Sequence, residues 1–366
     1  MEYLKDKPLN EKQLVSVKKH KYRAEGITYL EEYLQPFWNA IVPHVPRWIA
    51  PNLITLVGLL LNALSLSWLL FERLYYGRGS FSTYIYCGVS LFIYQTLDSI
   101  DGKHARNIGV ANPLGELLTT AVTPSPPFSF LFPSPFYFCA GVILASHFFY
   151  CSHWVAYVTG ALHFGRIDVI EAHYACIFSY FFTAFVGEEF WDNVYVLDYP
   201  VRWAYYAVLI GGLAGVTPRY CDLCTTAGSG MNGSTCANTS ILSPSGPVFC
   251  VLTLGVQVIY RSGLYKREPI LSALIVALAI AKITNKLIVA TITKKDLCLW
   301  DPILVALIVL FMNQYWYAII PEVPLLYLGV AYSIFNLATY LNSTYHQIAD
   351  CLDVNILTVK EKSKKQ

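Results

Sequence analysis

The feature that most constrains this chain is a succession of long apolar runs, at 53–71, 81–97, 136–162, 173–186, 201–216, 248–260, 270–293, 302–320 and 323–341. A helix needs roughly 20 apolar residues to cross the hydrocarbon core of a bilayer. Lipid offers no partner to backbone N–H and C=O groups, so a spanning segment is either a helix or part of a closed barrel. These runs do not alternate apolar and polar residues as barrel strands do. The expected fold is therefore all-α, a polytopic transmembrane helical bundle of about eight to ten spans. Composition agrees. Of 366 residues, 55% are hydrophobic and only 14% are charged, too few charges for a water-soluble surface of this size. The 27 Tyr, 20 Phe and 8 Trp suit aromatic belts at two membrane surfaces. A net charge of +2 gives no basic excess of the kind that binds nucleic acid.

The flanks suggest an orientation. Residues 1–26 are charged and lack the apolar core of a cleavable signal. Lys5, Lys7, Lys12, Lys18, Lys19, Lys21 and Arg23 precede the first run and place that end in the cytosol. The tail, residues 360–366, is also basic, and cytosolic ends on both sides imply an even number of spans. Lys362 and Lys364 fit a dilysine retrieval pattern, although a solvated basic tail explains them as well. Residues 27–46 mix apolar, aromatic and acidic side chains and predict a helix lying in the membrane interface. Three regions follow: a cytosolic N-terminus with that interfacial helix over 1–50, a membrane domain over 51–343, and a cytosolic tail over 344–366.

Chemistry concentrates at the end of the second run, in Asp98-Ser-Ile-Asp101-Gly102-Lys103-His104-Ala105-Arg106. Helical spacing puts the carboxylates of Asp98 and Asp101 on one face. Gly102 and Ala105 lie on the same side and are small enough for a bulky ligand to approach the backbone. Arg106 continues that face and can grip phosphate. Two carboxylates at a membrane helix end are costly unless they face a polar cavity and a cation. Mg²⁺ (or Mn²⁺), a hard ion that takes oxygen ligands and bridges to phosphates, is the natural partner. A plainer reading of the spacing alone has the two aspartates pairing with Lys103 and Arg106 at a loop.

The wider pattern Asp-x2-Asp-Gly-x2-Ala-Arg-x8-Gly, closing at Gly115, resembles the CDP-alcohol phosphotransferase (class I) family. The segments 51–55, 97–103, 113–117, 149–154, 232–235 and 281–286 resemble its cholinephosphotransferase and ethanolaminephosphotransferase branch. The resemblance implies transfer of phosphocholine or phosphoethanolamine from CDP-choline or CDP-ethanolamine to diacylglycerol, with release of CMP. It implies divalent ions held by aspartates, Asp98 and Asp101 among them, with Gly102, Ala105, Arg106, Gly115 and Asn52 around the substrate. It also implies a multi-pass protein of the endoplasmic reticulum or Golgi that works as a homodimer.

The chain departs from the family at the second half of the pattern, Gly-x3-Asp-x3-Asp. Those aspartates fall at Thr119 and Thr123. The second position is the family's general base, and a threonine hydroxyl cannot serve as one near neutral pH. Half of the metal-holding charge is lost as well. Glu116 is the nearest carboxylate, and the family has a Glu there beside its full aspartate set. Residues 118–140 are aberrant throughout. Pro124, Pro126, Pro127, Pro133 and Pro135 make a poor start for a span. The codons for Pro, Ser, Phe and Leu can be nearly all pyrimidine, and Cys139-Ala140-Gly141 can close such a tract with CAG. The segment therefore reads as the end of a retained or mis-called intron, with a diverged, functional loop as the plainer alternative. As written, the chain is expected to be impaired, or to be a non-catalytic isoform that binds CDP-alcohol or pairs with an active subunit.

Other polar residues interrupt the runs. Lys282 and Lys286 share a helix face and imply a substrate path, a partner carboxylate or a snorkelling end. His147, His153 and His163 could line a site, though a lone His in a span is more often a packing residue. Glu188 and Glu189 are expected to be solvated at a membrane boundary. Residues 217–247, rich in Gly, Ser, Thr and Asn, predict a polar loop. Cys221 and Cys224 form a lone CxxC, short of the four ligands of a structural zinc site.

Overall fold

The computed structural model describes residues 9–110, 113–115, 117, 134–316 and 319–359. Thr119, Thr123, Glu116 and most of the aberrant segment lie outside them. The described chain is almost entirely helical. Its main elements are α1 (Glu11–Lys19), α2 (Tyr29–Ile41), α3 (Pro51–Tyr76), α4 (Phe81–Ile108), α5 (Pro135–Thr159), α6 (Val169–Val186), α7 (Val201–Thr226), α8 (Ser245–Arg261), α9 (Pro269–Thr293), α10 (Leu304–Tyr315) and α11 (Glu322–Leu352). Each predicted apolar run overlaps one of these helices, the runs 136–162 and 302–320 extending beyond the ends of α5 and α10. Among the described residues α3, α5, α6, α9 and α11 are long and apolar enough to cross a membrane, and α8 and α10 are shorter apolar helices. The fold is a multi-span membrane helical bundle, as the hydropathy pattern requires.

Local chemistry sets the helix ends. Proline opens α3, α5 and α9, where its missing N–H is an orphan donor in any case. Ser80 caps α4 by accepting the N–H of Thr83. Asp168 and Glu171 form a capping box at the start of α6. Gly109, at φ 70°, ends α4 in the left-handed region that glycine enters without strain. Asn52, in the first turn of α3, donates its amide to the Ile356 carbonyl at 2.9 Å. One expectation needs correction. The polar loop begins later than its composition suggests, because α7 runs through 217–226 despite Pro218 and ends only at Thr226. Of the aberrant prolines, Pro135 is no obstacle, since it occupies the first turn of α5.

The chain divides into two compact units. One comprises residues 24–131, 163–219 and 354–366. In it α4 packs along α3 on one side and α6 on the other. Gly58 of α3 permits the first contact, since a Cβ there would lie 3.2 Å from the Leu97 side chain of α4. α2 rests on α4 through Trp38, Val42, Ile54 and Ile100. Its other side exposes Tyr29, Tyr33 and Phe37 at four-residue spacing, the form of an interfacial helix. Glu188 is not simply solvated. It accepts the Gly79 N–H at 2.7 Å and the Tyr84 hydroxyl, and lies 3.6 Å from Arg73. Glu189 stays exposed beside Arg78.

The other unit comprises residues 1–23, 132–162 and 220–353. α9 is its centre, with buried residues on every side, as expected of a helix surrounded by neighbours. The lysine question is settled in favour of a partner carboxylate. Lys282 is fully buried and lies 3.1 Å from Asp301, which also pairs with Lys286. Lys282 donates to Asn336 as well, and both ammonium groups sit over the Tyr340 ring at 5.4 and 5.6 Å. His153 is buried against the Phe149 ring, and His147 lies 3.5 Å from the Cys151 sulfur. His163, in the first unit, lies 3.6 Å from Glu25.

Removing one partner of a buried pair leaves a charge uncompensated, at a cost of about 3–5 kcal/mol. Asp301→Asn should therefore destabilise the protein by about that amount, read from detergent-unfolding equilibria of purified protein. Arg78→Gln, which breaks the exposed pair with Glu189, should shift the same equilibrium by less than about 1 kcal/mol.

Candidate functional site

The site is built on the last turns of α4. Asp98 and Asp101, one helical turn apart, project on one face, and α3 packs beside them. Thr55, one turn into α3, donates its hydroxyl to Asp101 Oδ2. Asp98 has no such support: its Oδ1 is buried without a hydrogen-bond partner among the described residues. A buried carboxylate oxygen left unpaired is expensive. Its neighbour's second hard oxygen donor lies a turn away, so the pair fits a divalent oxygen-seeking cation. No third His, Cys, Asp or Glu joins them among the described residues.

The expected substrate residues gather around this pair. Arg106 is exposed and folds back so that its guanidinium would lie 3.6 Å from a Cβ placed on Gly102. The glycine leaves open the space in front of the guanidinium. Asn52 Oδ1 would lie 3.6 Å from a Cβ on Gly115, so the family-motif glycine and the α3 asparagine face each other. Ala105 is 9% exposed.

Several contacts were not legible in the motif. Lys103 points away from the carboxylates and donates to Gln35 and, at 2.8 Å, to Asn39, both on α2. Its ammonium also lies 5.6 Å from the Trp38 ring centroid. The plainer reading, in which Lys103 neutralises the aspartates, is therefore replaced by one in which it clamps the interfacial helix. His104 is fully buried and its Nε2 lies 3.0 Å from the Ile49 carbonyl, just before α3. Glu171 of α6 accepts the Leu30 N–H at 2.9 Å and holds the start of α2. The motif strand of residues thus alternates: Asp98, Asp101 and Gly102 face the site, while Lys103 and His104 anchor neighbouring segments. Thr55 could have been suspected only from its closeness to the Pro51-Asn52 helix start, and Gln35 and Asn39 carried no signal.

Residues 48–120 match the CDP-alcohol phosphatidyltransferase family model. The chain is 35% identical to cholinephosphotransferase 1 of Xenopus laevis, over 96% of this chain and 91% of that protein. It is 34% identical to cholinephosphotransferase 1 of Homo sapiens, over 95% of this chain and 89% of the relative. It is also 34% identical to the Danio rerio protein of the same name, over 96% of each.

Two outcomes follow from the geometry. Thr55→Val should weaken Mg²⁺-dependent binding of CDP about tenfold, the equivalent of one hydrogen bond to a charged group, as measured by titration calorimetry. Lys103→Met should leave the fold intact but release α2, seen as faster amide exchange over residues 29–41 and unchanged exchange in α9.

Proposed function

The chain belongs to the CDP-alcohol phosphatidyltransferase family, in its cholinephosphotransferase and ethanolaminephosphotransferase branch, and from that premise we propose a phospholipid-synthesis site that takes a CDP-linked amino alcohol and diacylglycerol. One observation carries this reading. The family's first aspartate pair is intact on α4, and one of its oxygens is buried with no hydrogen-bond partner among the described residues.

In this reading Asp98 and Asp101 would hold a divalent cation, which supplies positive charge against the pyrophosphate during an in-line displacement. The remaining roles fall to the protein. Thr55 fixes the rotamer of Asp101. Arg106 offers its planar guanidinium to phosphate oxygens. Gly102 and Gly115 keep side chains out of the space between Arg106 and Asn52. Lys103 keeps the interfacial helix against the mouth of the site, where a lipid acceptor arrives from the bilayer. The diacylglycerol hydroxyl must give up a proton as it attacks the phosphorus, and the family's base position holds Thr123. The chain therefore binds its nucleotide substrate and performs the transfer poorly. Loss of a positioned base lowers rate by roughly 10²–10⁴-fold.

A second reading rests on the same two threonines. A chain with Asp98 and Asp101 but with Thr119 and Thr123 is a non-catalytic isoform that binds CDP-alcohol or pairs with an active copy. The membrane in question is that of the endoplasmic reticulum or Golgi.

Purified protein in lipid nanodiscs separates the readings. With CDP-choline or CDP-ethanolamine, diacylglycerol and Mg²⁺, CMP release should be at least about a hundredfold below that of a chain whose 118–140 segment is replaced by one carrying both aspartates. Asp98→Asn and Asp101→Asn should each abolish Mg²⁺-dependent CDP binding; binding that survives both removes the site assignment. Sequencing the natural transcript across codons 110–145 decides between a retained intron and a true isoform.

A further inference from the structure

The unit that carries the aspartate pair also holds a cavity of about 800 Å³, within the size range of ligand pockets. None of its lining residues belongs to the 98–106 motif. Its walls come from the chain entering α2, the loop between α5 and α6, and one side of α7.

The lining falls into two zones. Glu32, Arg166 and Arg219 supply charge of both signs. Arg219 is held by a 2.7 Å hydrogen bond to the Phe164 carbonyl. Gly26 makes the same loop possible, since at φ +92° its Cβ would fall 2.2 Å from that carbonyl oxygen. Arg166 pairs with Glu32 at 2.8 Å, with side chains 64% and 52% exposed. Such an exposed pair is worth little, so either group can turn toward a ligand. Arg166 also lies over the Tyr29 ring, on the helix whose exposed aromatic face marks the membrane surface.

The second zone is apolar. Ile27, Ile167 and Val216 line it, and α7 contributes Gly215, Gly212 and Gly211. These glycines lie about 6 Å to about 12 Å along the helix from Arg219, toward the middle of the predicted span. A Cβ placed on any of them meets nothing within 4 Å among the described residues. Along α7 the lining therefore runs from a charged end at Arg219 to a glycine side that is open among the described residues.

We propose that this cavity binds one zwitterionic glycerophospholipid. Its phosphate lies at Arg219 and Arg166, its ammonium group toward Glu32, and an acyl chain runs along the glycine side of α7. Diacylglycerol fits less well, because it would cover the charged rim without pairing it. An anionic lipid fits less well, because its extra negative charge would meet Glu32. The proposal does not depend on transfer activity, so it can fail while the aspartate site stands, and the reverse.

Native mass spectrometry of the full chain, released from detergent with added lipid, tests it. Dioleoyl-phosphatidylcholine and dioleoyl-phosphatidylethanolamine should each be retained as one molecule per chain, about tenfold more tightly than dioleoylglycerol or dioleoyl-phosphatidylserine. The double variant Gly212→Leu, Gly215→Leu fills open space and should lose the retained lipid while keeping Mg²⁺-dependent CDP binding. Arg219→Gln should weaken retention about tenfold on its own. Equal retention of all four lipids, or unchanged retention in either variant, overturns the proposal.

Discussion

A bilayer cannot solvate a charge, so each ionised side chain placed in its helices must bring its own partner. The rest of this structure is arranged around that constraint. Lys282, fully buried in α9, has Asp301, Asn336 and the face of Tyr340. Glu188 has the Tyr84 hydroxyl, the Gly79 N–H and Arg73. Asp101 has Thr55. Asp98 Oδ1 is the exception, buried and unpartnered among the described residues. The paired groups contribute to stability, and the unpaired oxygen of Asp98 is the observation on which the proposed cation site rests.

The surroundings of the aspartate pair follow from the packing of three helices and a surface segment. Gly58 lets α3 approach α4, which brings Thr55 to Asp101. Lys103 and Trp38 fasten α2 to the same end of α4, and Glu171 fastens its start to α6. The exposed aromatic stripe of α2 is thus mechanically continuous with the carboxylates. In the proposed reaction a head group carried on a water-soluble nucleotide passes to a membrane alcohol and the nucleotide leaves as CMP, so the two substrates arrive from different solvents.

Scaffold and motif separate in this chain. Sequence similarity to a cholinephosphotransferase extends over 96% of its length, and the first aspartate pair stands on α4. The second pair of positions holds Thr119 and Thr123. A scaffold tolerates such a change because hydrophobic length, rather than catalytic charge, holds the helices in place.

Much was legible in the sequence because bilayer thickness and helical period act on consecutive residues. The apolar runs gave the helices, and the Asp98–Arg106 spacing gave a shared face. Composition misjudged 217–226, where local polarity did not stop α7. The sequence by itself determined that this chain is a membrane helical bundle with a half-complete phosphotransferase motif, since those properties need only neighbours along the chain. Tertiary structure alone decided that Lys282 meets Asp301, that Thr55 supports Asp101, that Lys103 serves α2, and that Arg219 and the glycines of α7 border one cavity. Each of those joins residues far apart in sequence, and only the packing of one helix against another sets their distance.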